Sequence, residues 1–284
     1  MPSAVKHIAI FANTRSGKGR GQRVAAALGK ELRSRNISFS LCIEQWPAAL
    51  PHATDIWIVG GDGTLNYFLN QYPHITQPVC LFKGGTGNDL FSVIYGNISL
   101  QQAISTALRG KLQTVDAVRC NGELFVNAGG FGFDGSVARH MQFVRRVGGL
   151  TGYFFAVVRS LATYREPGYM IRFNDQIISG RFLLVMVNNS GRTGGGFWVS
   201  PHSDLQDGII ELLLVQPLPF WKRLRYLPLI LKGRHLELPF VQVIRGTQFE
   251  ITCSQTVPVQ LDGEYREGDS FSISVLPGYL LLRR

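Results

Sequence analysis

Short apolar runs alternate with amphipathic stretches along the first 110 residues of the chain. The strand candidates share the length and apolar content of buried strands and are residues 6–12, 39–43, 55–59 and 78–82. Between them, residues 21–35 and 65–71 place apolar side chains at helical spacing. Ser99 and Gln102 have the spacing of a capping box, which predicts a helix ending near Leu108. This alternation predicts a parallel sheet with helices on both faces.

The pattern changes after about Val115, where strand-like segments follow one another without intervening helices. These segments are residues 117–119, 124–128, 170–173, 176–179, 182–188, 209–215, 241–244, 248–253, 257–261 and 270–275. Turn signals such as Asn174-Asp175 separate several of them. Two helical stretches interrupt the series, near residues 135–164 and 220–231. The second part of the chain is therefore predicted to be an antiparallel β domain of residues 116–274, after an α/β domain of residues 1–115.

Composition and charge say more about the binding partners of the protein than about its fold. The 284 residues are 45% hydrophobic and 17% charged, which suits a folded chain with a sizeable core. The 29 Lys and Arg against 19 Asp and Glu give a net charge of +10. The excess is concentrated at residues 139–172, where Glu166 is the only acid, and at residues 221–235, which contain no acid. Both stretches also carry aromatic residues, a mixture that favours an anionic membrane surface, although solvated helix faces are the alternative.

The cysteines and the hydropathy pattern predict the compartment. The four cysteines are scattered, without a CxxC pair or a Cys/His pair at metal spacing. The apolar run at residues 7–12 is too short for a signal peptide, and no uncharged run approaches the ~20 residues that span a bilayer. We therefore predict a cytoplasmic protein that is peripheral to the inner face of the membrane.

Three glycine-rich turns follow three of the predicted parallel strands. They are Asn13-Thr14-Arg15-Ser16-Gly17-Lys18-Gly19, Gly60-Gly61-Asp62-Gly63-Thr64 and Gly84-Gly85-Thr86-Gly87-Asn88-Asp89. Ligands of open parallel sheets bind outside the carboxyl ends of the strands, where all three turns fall. Glycine lets the backbone approach a ligand and offer its N–H groups to phosphate oxygens, and Asp62 is a candidate for a metal that bridges phosphates. The set predicts a phosphate site, but it contains neither a Walker A sequence nor GxGxxG.

Carboxylates recur at Asp-Gly pairs in the second domain. Asp207-Gly208 follows a Gly194–Gly196 run, and Asp262-Gly263-Glu264 lies between two predicted strands. Asp-Gly is most often a plain hairpin turn. A kinase, however, needs a carboxylate that accepts a hydroxyl proton, and the first domain offers few acids.

These motifs together resemble the diacylglycerol kinase catalytic-domain family of lipid kinases, in its small bacterial form. Gly60–Thr64 is similar to that family's GGDGT signature, which sphingosine and ceramide kinases share closely, and Gly84–Asp89 fits its GGTxND pattern. Phe131–Asp134, Asp207-Gly208 and Asp262–Glu264 follow in the family's order, so the resemblance covers essentially the whole chain.

The resemblance implies a fold and a set of binding residues. It implies a Rossmann-like parallel domain, an antiparallel β-sandwich domain, an active site in the cleft between them, and a C-terminal segment of about residues 275–284 that returns to the first domain. It also implies binding of ATP with Mg²⁺. The implied ATP-binding residues are Asn13, Ser16, Gly17, Gly60, Gly61, Asp62, Gly63, Thr64, Gly85, Thr86 and Asn88.

The resemblance also implies residue roles in the second domain. Asp262 is the implied general base with Glu264 in support, and Asp134 faces the headgroup of the acceptor. A structural Mg²⁺ near the second Asp-Gly pair implies a set of ligands that comprises the Asp207 side chain, main-chain oxygens of Asp204 and Ile209, and water-linked Asp89 and Asp116.

Two positions depart from the family's pattern. Thr14 stands where the family usually has proline after the asparagine, which removes the fixed φ of that turn. Gln206 replaces an acid that often precedes the Asp-Gly pair and weakens the implied structural metal site. Neither change removes an implied catalytic group.

The resulting hypothesis is an ATP-dependent lipid kinase, with diacylglycerol as the first candidate acceptor and phosphatidic acid as its product. A sphingoid base and phosphatidylglycerol remain as other acceptors. The alternatives are a soluble-metabolite kinase of the NAD-kinase type and a nucleotide-binding regulatory protein without turnover. A nucleic-acid binder is disfavoured because the chain lacks a stacking motif and a helix-turn-helix pattern. A homodimer is left open.

Overall fold

The structure, a computed structural model, describes residues 6–144 and 149–284. The chain forms two compact units. The first comprises the residues up to Val115 together with Gly278–Arg284, and the second comprises Asp116–Pro277. The chain therefore passes from the first unit into the second and back again.

The first unit is a parallel α/β domain. Its elements are β1 His7–Ala12, α1 Arg20–Ser34, β2 Ser38–Ile43, β3 Asp55–Gly60, α2 Asp62–Gln71, β4 Val79–Lys83, α3 Asp89–Tyr95, α4 Leu100–Arg109 and the start of β5 Leu112–Cys120. Neighbouring strands in the order β2-β1-β3-β4 pair in parallel. The last strand of the chain joins the far edge, where Leu282 pairs in parallel with Val79.

Local sequence accounts for these elements. β3 is buried along its whole length, as a central parallel strand covered on both faces must be. The apolar stripe of α1 buries Ala25, Leu28 and Leu32. The predicted capping box of α4 is confirmed, with both hydrogen bonds between Ser99 and Gln102 present.

The second unit is built from antiparallel strands with helical insertions. Its elements are the end of β5, β6 Glu123–Phe125, β7 Ala128–Phe131, α5 Phe133–Val144, α6 Gly149–Thr163, β8 Gly168–Phe173, β9 Gln176–Arg181, β10 Leu184–Asn188, β11 Ile210–Val215, α7 Phe220–Leu231, β12 Val241–Gly246, β13 Gln248–Leu261 and β14 Glu264–Arg283. The strand order is β12-β11-β10-β7-β13-β14, with β9 and β8 attached beside β13.

The long strand β13 organises the core of the second unit. Its first half pairs with β8 and its last residues pair with β7, while β14 follows it on the other side. The register with β14 shifts between Thr252 and Val257, which redirects the strand. A large buried cluster that includes Phe125, Phe131 and Phe249 fills the space enclosed by these strands.

One predicted strand differs from the structure in an informative way. Residues 124–128 are predicted as one strand, but β6 ends at Phe125 and β7 begins at Ala128. The amides of the intervening residues donate to the carboxylate of Asp262 instead of to a neighbouring strand. A long-range side chain therefore interrupts the strand that the local pattern predicts.

Candidate active site

The three glycine-rich turns meet at the carboxyl edge of the parallel sheet. The Asn13 N–H donates to the Val59 carbonyl at 3.0 Å, and the Gly84 N–H donates to the Gly60 carbonyl at 2.8 Å. A Cβ on Gly17 would lie 2.3 Å from the Gly84 oxygen, so the first turn contacts the third backbone to backbone. The structure thus brings together the segments that the sequence nominates for phosphate binding.

Glycines bring the backbones of the second and third turns into direct contact. A Cβ on Gly85 would lie 2.5 Å from the Gly61 Cα, and one on Gly60 would lie 2.2 Å from the Thr64 hydroxyl oxygen. Real Cβ atoms are not found at such distances, so these positions accept no other residue without moving the backbone. Glycine here serves the mutual packing of the turns as well as the approach of a ligand.

Two polar side chains fix the third turn. The Asn88 side-chain oxygen accepts from the Gly85 N–H at 3.0 Å, and its amide donates to the Gly85 carbonyl at 2.9 Å. The Asp62 carboxylate accepts from the N–H groups of Asp89 and Leu90, each at 3.0 Å. Asp62 therefore ties the second turn to the start of α3, and the metal role predicted for it stays a prediction.

The first turn adopts an unusual backbone and carries positive charge. Gly17, Lys18 and Gly19 all have left-handed φ angles, of 56°, 56° and 83°. The Ser16 hydroxyl donates to the Asn13 carbonyl at 2.7 Å. Arg20, which sequence reasoning missed, reaches the Gly85 carbonyl at 3.5 Å.

Through this contact, the Arg20 side chain, which follows the first turn, also touches the third turn. The exposed Thr86 and Lys18 lie on the same turns without such a tether. The three turns that carry the predicted ATP-binding residues contact one another at one edge of the sheet.

In the second unit, Asp262 occupies the hairpin turn between β13 and β14 with a left-handed φ of 50°. Its carboxylate accepts from the N–H groups of Val126, Asn127 and Ala128 at 2.8, 2.8 and 3.0 Å. The residue is 8% exposed, whereas Glu264 is partly exposed at the start of β14. The predicted base is therefore also the anchor of the segment between β6 and β7.

Asp134 lies in the first turn of α5 and contacts a residue that sequence reasoning missed. The side-chain amide of Gln260 donates to the Asp134 carboxylate at 2.7 Å, and its oxygen accepts from the Gly263 N–H at 2.6 Å. Burial raises the pKa of Asp134 to about 6, and the hydrogen bond from Gln260 opposes that shift. Two of the predicted site residues of this unit, Asp134 and the Asp262 hairpin, are thus bridged by one side chain.

The segment Asp204–Ile209 is held by direct hydrogen bonds. The Asp116 carboxylate accepts from the Gly208 N–H at 2.8 Å, and the Asp207 carboxylate accepts from the Ile209 N–H at 3.0 Å. The other Asp207 oxygen pairs with Arg245 at 2.5 Å. Arg245 also lies 3.6 Å from the buried Glu211 carboxylate. The two residues are directly opposite each other in the pairing of β11 with β12.

These contacts do not fit the predicted structural Mg²⁺. Its carboxylate ligand, Asp207, is already neutralised by a guanidinium group, and the Asp204 carboxylate accepts from the Gln206 N–H. Within residues 6–144 and 149–284, no three His, Cys, Asp or Glu side chains cluster so as to hold a metal ion. Asp89 is buried at the start of α3, and the water-linked role predicted for it stays a prediction.

The two basic stretches are neighbours in the second unit. Val157 and Leu161 of α6 and Val137 of α5 form a small buried cluster against which Leu224 and Leu227 of α7 pack. Arg145 and Arg146, within the first basic stretch, lie outside the described residues.

The basic residues of these helices differ in their surroundings. Arg223 pairs with Glu166 at 2.5 Å and donates to the carbonyl of Leu161 at the end of α6, so it is a packing residue. Lys222 and Arg225 are exposed beside Trp221, which is 77% exposed. Part of the excess charge is therefore available to a partner.

The fold and the turns together define a class of protein. A parallel α/β unit whose glycine-rich turns converge at the carboxyl edge of the sheet, followed by an antiparallel β unit, is typical of two-domain proteins that bind phosphate groups. Residues 7–120 match the family model described as diacylglycerol kinase catalytic domain, and residues 127–283 match the one described as YegS C-terminal NAD kinase beta sandwich-like domain. The chain belongs to the diacylglycerol kinase catalytic-domain family, in the form that carries the YegS-type C-terminal domain, and this confirms the predicted resemblance.

Individual relatives agree with the family. The chain is 28% identical over 247 residues to a diacylglycerol kinase of Mycobacterium tuberculosis, covering 84% of this chain and 79% of the relative. It is 29% identical over 228 residues to a probable lipid kinase YegS-like of Yersinia pestis, covering 77% and 74%. A crystal structure of a putative diacylglycerol kinase from Bacillus anthracis superimposes with a TM-score of 0.79 at 19% identity, covering 98% and 97% of the two chains.

Together these comparisons confirm the predicted fold, a parallel α/β domain combined with a β-sandwich domain. Membership of a kinase family makes the chain a phosphotransferase that uses ATP. No helix among the described residues combines the length and the apolar character needed to cross a membrane.

Proposed function

We propose that the chain is an ATP-dependent lipid kinase that transfers the γ-phosphoryl group of ATP to a lipid hydroxyl, with diacylglycerol as acceptor and phosphatidic acid as product. The observation that carries the proposal is the backbone cradle formed by the three glycine-rich turns. The acceptor is inferred from the relatives, which are named diacylglycerol kinase or lipid kinase.

The cradle supports nucleotide binding through its backbone. Residues 17–19 have left-handed φ angles. Successive backbone N–H groups in turns can form sites that bind phosphate oxygens. Arg15, Lys18 and Arg20 add positive charge at the same turn. Phosphoryl transfer depends mainly on positioning and on stabilisation of negative charge, which such a turn supplies.

The acceptor is proposed to bind to the second unit. Asp262 is the candidate that receives the hydroxyl proton, with Glu264 in support, and Asp134 is the candidate that faces the acceptor headgroup. The side chain of Gln260 contacts Asp134 and the hairpin turn that carries Asp262. The predicted location of the reaction in a cleft between the domains remains a prediction.

An anionic membrane surface is the proposed partner, since a diacylglycerol acceptor resides in a bilayer. The exposed Trp221 and Phe155 supply amphipathic and apolar contacts, and Lys222 and Arg225 supply charge. Residues of this kind bind the headgroup region of anionic membranes. The proposal places the protein in the cytoplasm, at the inner face of the membrane.

Radiolabelled ATP with mixed-lipid micelles tests the function. The expected result is a labelled lipid that migrates with phosphatidic acid and depends on diacylglycerol. Label in another lipid class would reassign the acceptor to a sphingoid base or phosphatidylglycerol. Label only in a soluble metabolite such as NAD, or ATP binding without any transfer, would reject the lipid-kinase proposal.

A further inference from the structure

A series of aromatic contacts leads from the core of the first unit to its surface. The ring of Trp46 packs edge-on against that of Phe11, with centroids 5.1 Å apart, and lies 6.0 Å from that of Phe68. Trp46 also contacts Tyr67, at 5.2 Å. Phe11 and Phe68 are fully buried, whereas Tyr67 is 60% exposed. Trp46 and Tyr67 are called the aromatic ledge below.

The segment that carries Trp46 is fastened to the end of α2. The carbonyl of the next residue, Pro47, accepts from the side-chain amide of Gln71 at 3.1 Å and from the Tyr72 hydroxyl at 2.5 Å. Trp46 is therefore held in place before any ligand arrives. A ligand that binds against a group already held in place has less conformational entropy to overcome, which favours its affinity.

The aromatic ledge lies close to the glycine-rich turns. Ile43, the last residue of β2, pairs with Ala12, the residue before the first turn. Trp46 follows only three residues beyond that point. Tyr67 follows Gly63 of the second turn by four residues, so the two share one face of α2, about 6 Å apart along the helix axis. Both residues of the ledge are thus near the predicted phosphate site and in the same unit.

The chemistry of the ledge suits an uncharged aromatic ligand. A nucleobase stacks on the face of an aromatic side chain, and the Tyr67 hydroxyl adds a group that can donate or accept a hydrogen bond. A membrane is the other occupant that an exposed aromatic residue suggests. Residues 36–82, however, contain no Lys or Arg, and Glu44 near the ledge is exposed, so this surface does not attract anionic lipid.

From this placement we infer that the aromatic ledge binds the adenine base of ATP, with the base against the ring of Tyr67 while the phosphates lie on the glycine-rich turns. This inference rests on the proposed function, in which ATP is the phosphoryl donor. Tyr67 then contributes to the affinity for the nucleotide and takes no part in the transfer of the hydroxyl proton.

Titration calorimetry of the full chain with ATP and with inorganic tripolyphosphate tests the inference, because tripolyphosphate carries three phosphates without a base. Tyr67→Ala should weaken ATP binding about tenfold, since the stacking on one base is lost. The same variant should bind tripolyphosphate as tightly as wild type does. Tyr67→Phe keeps the ring and should bind ATP with nearly the wild-type affinity.

Leu112→Ala is the matched control. Leu112 is an apolar residue of the same unit that is 48% exposed at the start of β5, outside the three turns. Its variant should bind both ligands as wild type does. Because Tyr67 is mostly exposed, Tyr67→Ala should also keep the wild-type melting temperature, which separates a loss of base binding from a loss of folding.

Wild-type ATP affinity in Tyr67→Ala would overturn the inference. Equal losses for ATP and tripolyphosphate would overturn it as well, because the substitution would then have disturbed the turns. Unchanged ATP affinity together with weaker binding to vesicles would assign the ledge to the membrane instead. A wild type whose ATP binding depends on Tyr67 as expected, but which phosphorylates no lipid, would reject the proposed function and support the base site.

Discussion

Individual glycines at the sheet edge determine whether the first unit can form a nucleotide site. At Gly85 the added Cβ would collide with the Gly61 backbone. Backbone atoms cannot move aside by a change of rotamer, as a side chain can. At Gly180, on β9, an added Cβ would make ordinary contact with Phe182 at 3.5 Å. The two positions therefore offer a matched pair for the same substitution.

We predict that Gly85→Ala lowers the free energy of unfolding by about 2 kcal/mol and weakens ATP binding at least about tenfold, because the second and third turns must separate. Gly180→Ala should change neither quantity. Thermal melting and ATP titration calorimetry check this pair. Wild-type ATP affinity in Gly85→Ala would show that the contact between the turns is unimportant for binding.

Arg245 leads to a second prediction at this scale. It holds the carboxylates of Asp207 and Glu211, so Arg245→Met should leave them in mutual repulsion and lower the stability by about 1 kcal/mol. The wild-type melting temperature without ATP should not respond to millimolar Mg²⁺. That of the variant should rise with Mg²⁺, because a cation can then replace the guanidinium.

Arg266→Met is the control for Arg245, since Arg266 pairs with Glu123 at similar exposure away from the Asp-Gly pair. A wild type stabilised by Mg²⁺ without nucleotide would restore the metal site implied by the sequence. Unresponsive melting in both variants would show that position 245 does not replace a cation.

The residues that sequence reasoning found are those whose roles are local. The glycine turns follow their strands directly, so spacing alone reveals them. Gln260 and Arg245 act through partners far along the chain, at Asp134 and Asp207, and nothing in their neighbouring sequence marks them. The hydrogen bonds of Asp262 likewise span 134 to 136 positions, which is why its anchoring role could not be read beforehand.

Helices and strands could be predicted where the local pattern of apolar and polar residues alone determines them. The alternating elements of the first unit and the box at Ser99 follow from short-range patterns. The prediction of one strand at residues 124–128 was wrong because strand propensity is a local property. It carries no information about the distant Asp262 carboxylate, to which backbone N–H groups of this segment donate. The two basic stretches pack side by side only in the tertiary structure, so the sequence pattern could not predict this contact either.

The exposed part of α7 leads to a prediction about membrane binding. Lys222→Glu/Arg225→Glu should weaken binding to vesicles rich in phosphatidylglycerol at least about thirtyfold at low salt, since each of the two lost basic residues contributes about 1 kcal/mol near an anionic surface and the new carboxylates add repulsion. Arg23→Glu/Lys30→Glu on α1 makes the same charge change elsewhere and should have a smaller effect. Vesicle co-sedimentation measures both, and equal losses would assign the attraction to net charge alone.

At the scale of the whole molecule, the C-terminal residues of β14 are part of the first unit. Arg283 donates to the Asp55 carboxylate at 3.0 and 2.8 Å, and Asp55 is 3% exposed at the start of β3. The Arg283 carbonyl accepts from the Tyr95 hydroxyl, and the Arg284 N–H donates to the Lys111 carbonyl. The sheet edge is thus fastened to several elements.

We predict that Arg283→Ala lowers the free energy of unfolding by about 3 kcal/mol, because Asp55 would remain buried and, among the described residues, would keep only Lys6, at 3.7 Å, as a cationic partner. Arg35→Ala removes an exposed pair with Glu31 on α1 and should cost less than about 0.5 kcal/mol. Urea unfolding compares the two variants. Equal effects would show that burial of Asp55 does not govern the pair.

The return of the last strand also has a consequence for biosynthesis. When the ribosome has translated residue 115, most of the first unit has been synthesised. The strand partner of Val79 in β4, however, is Leu282, near the end of the chain. More than half of the polypeptide must still emerge before that edge can close. The nucleotide-binding half, although it is translated first, therefore completes its folding last, and in the meantime its open edge is exposed to chaperones and to neighbouring nascent chains.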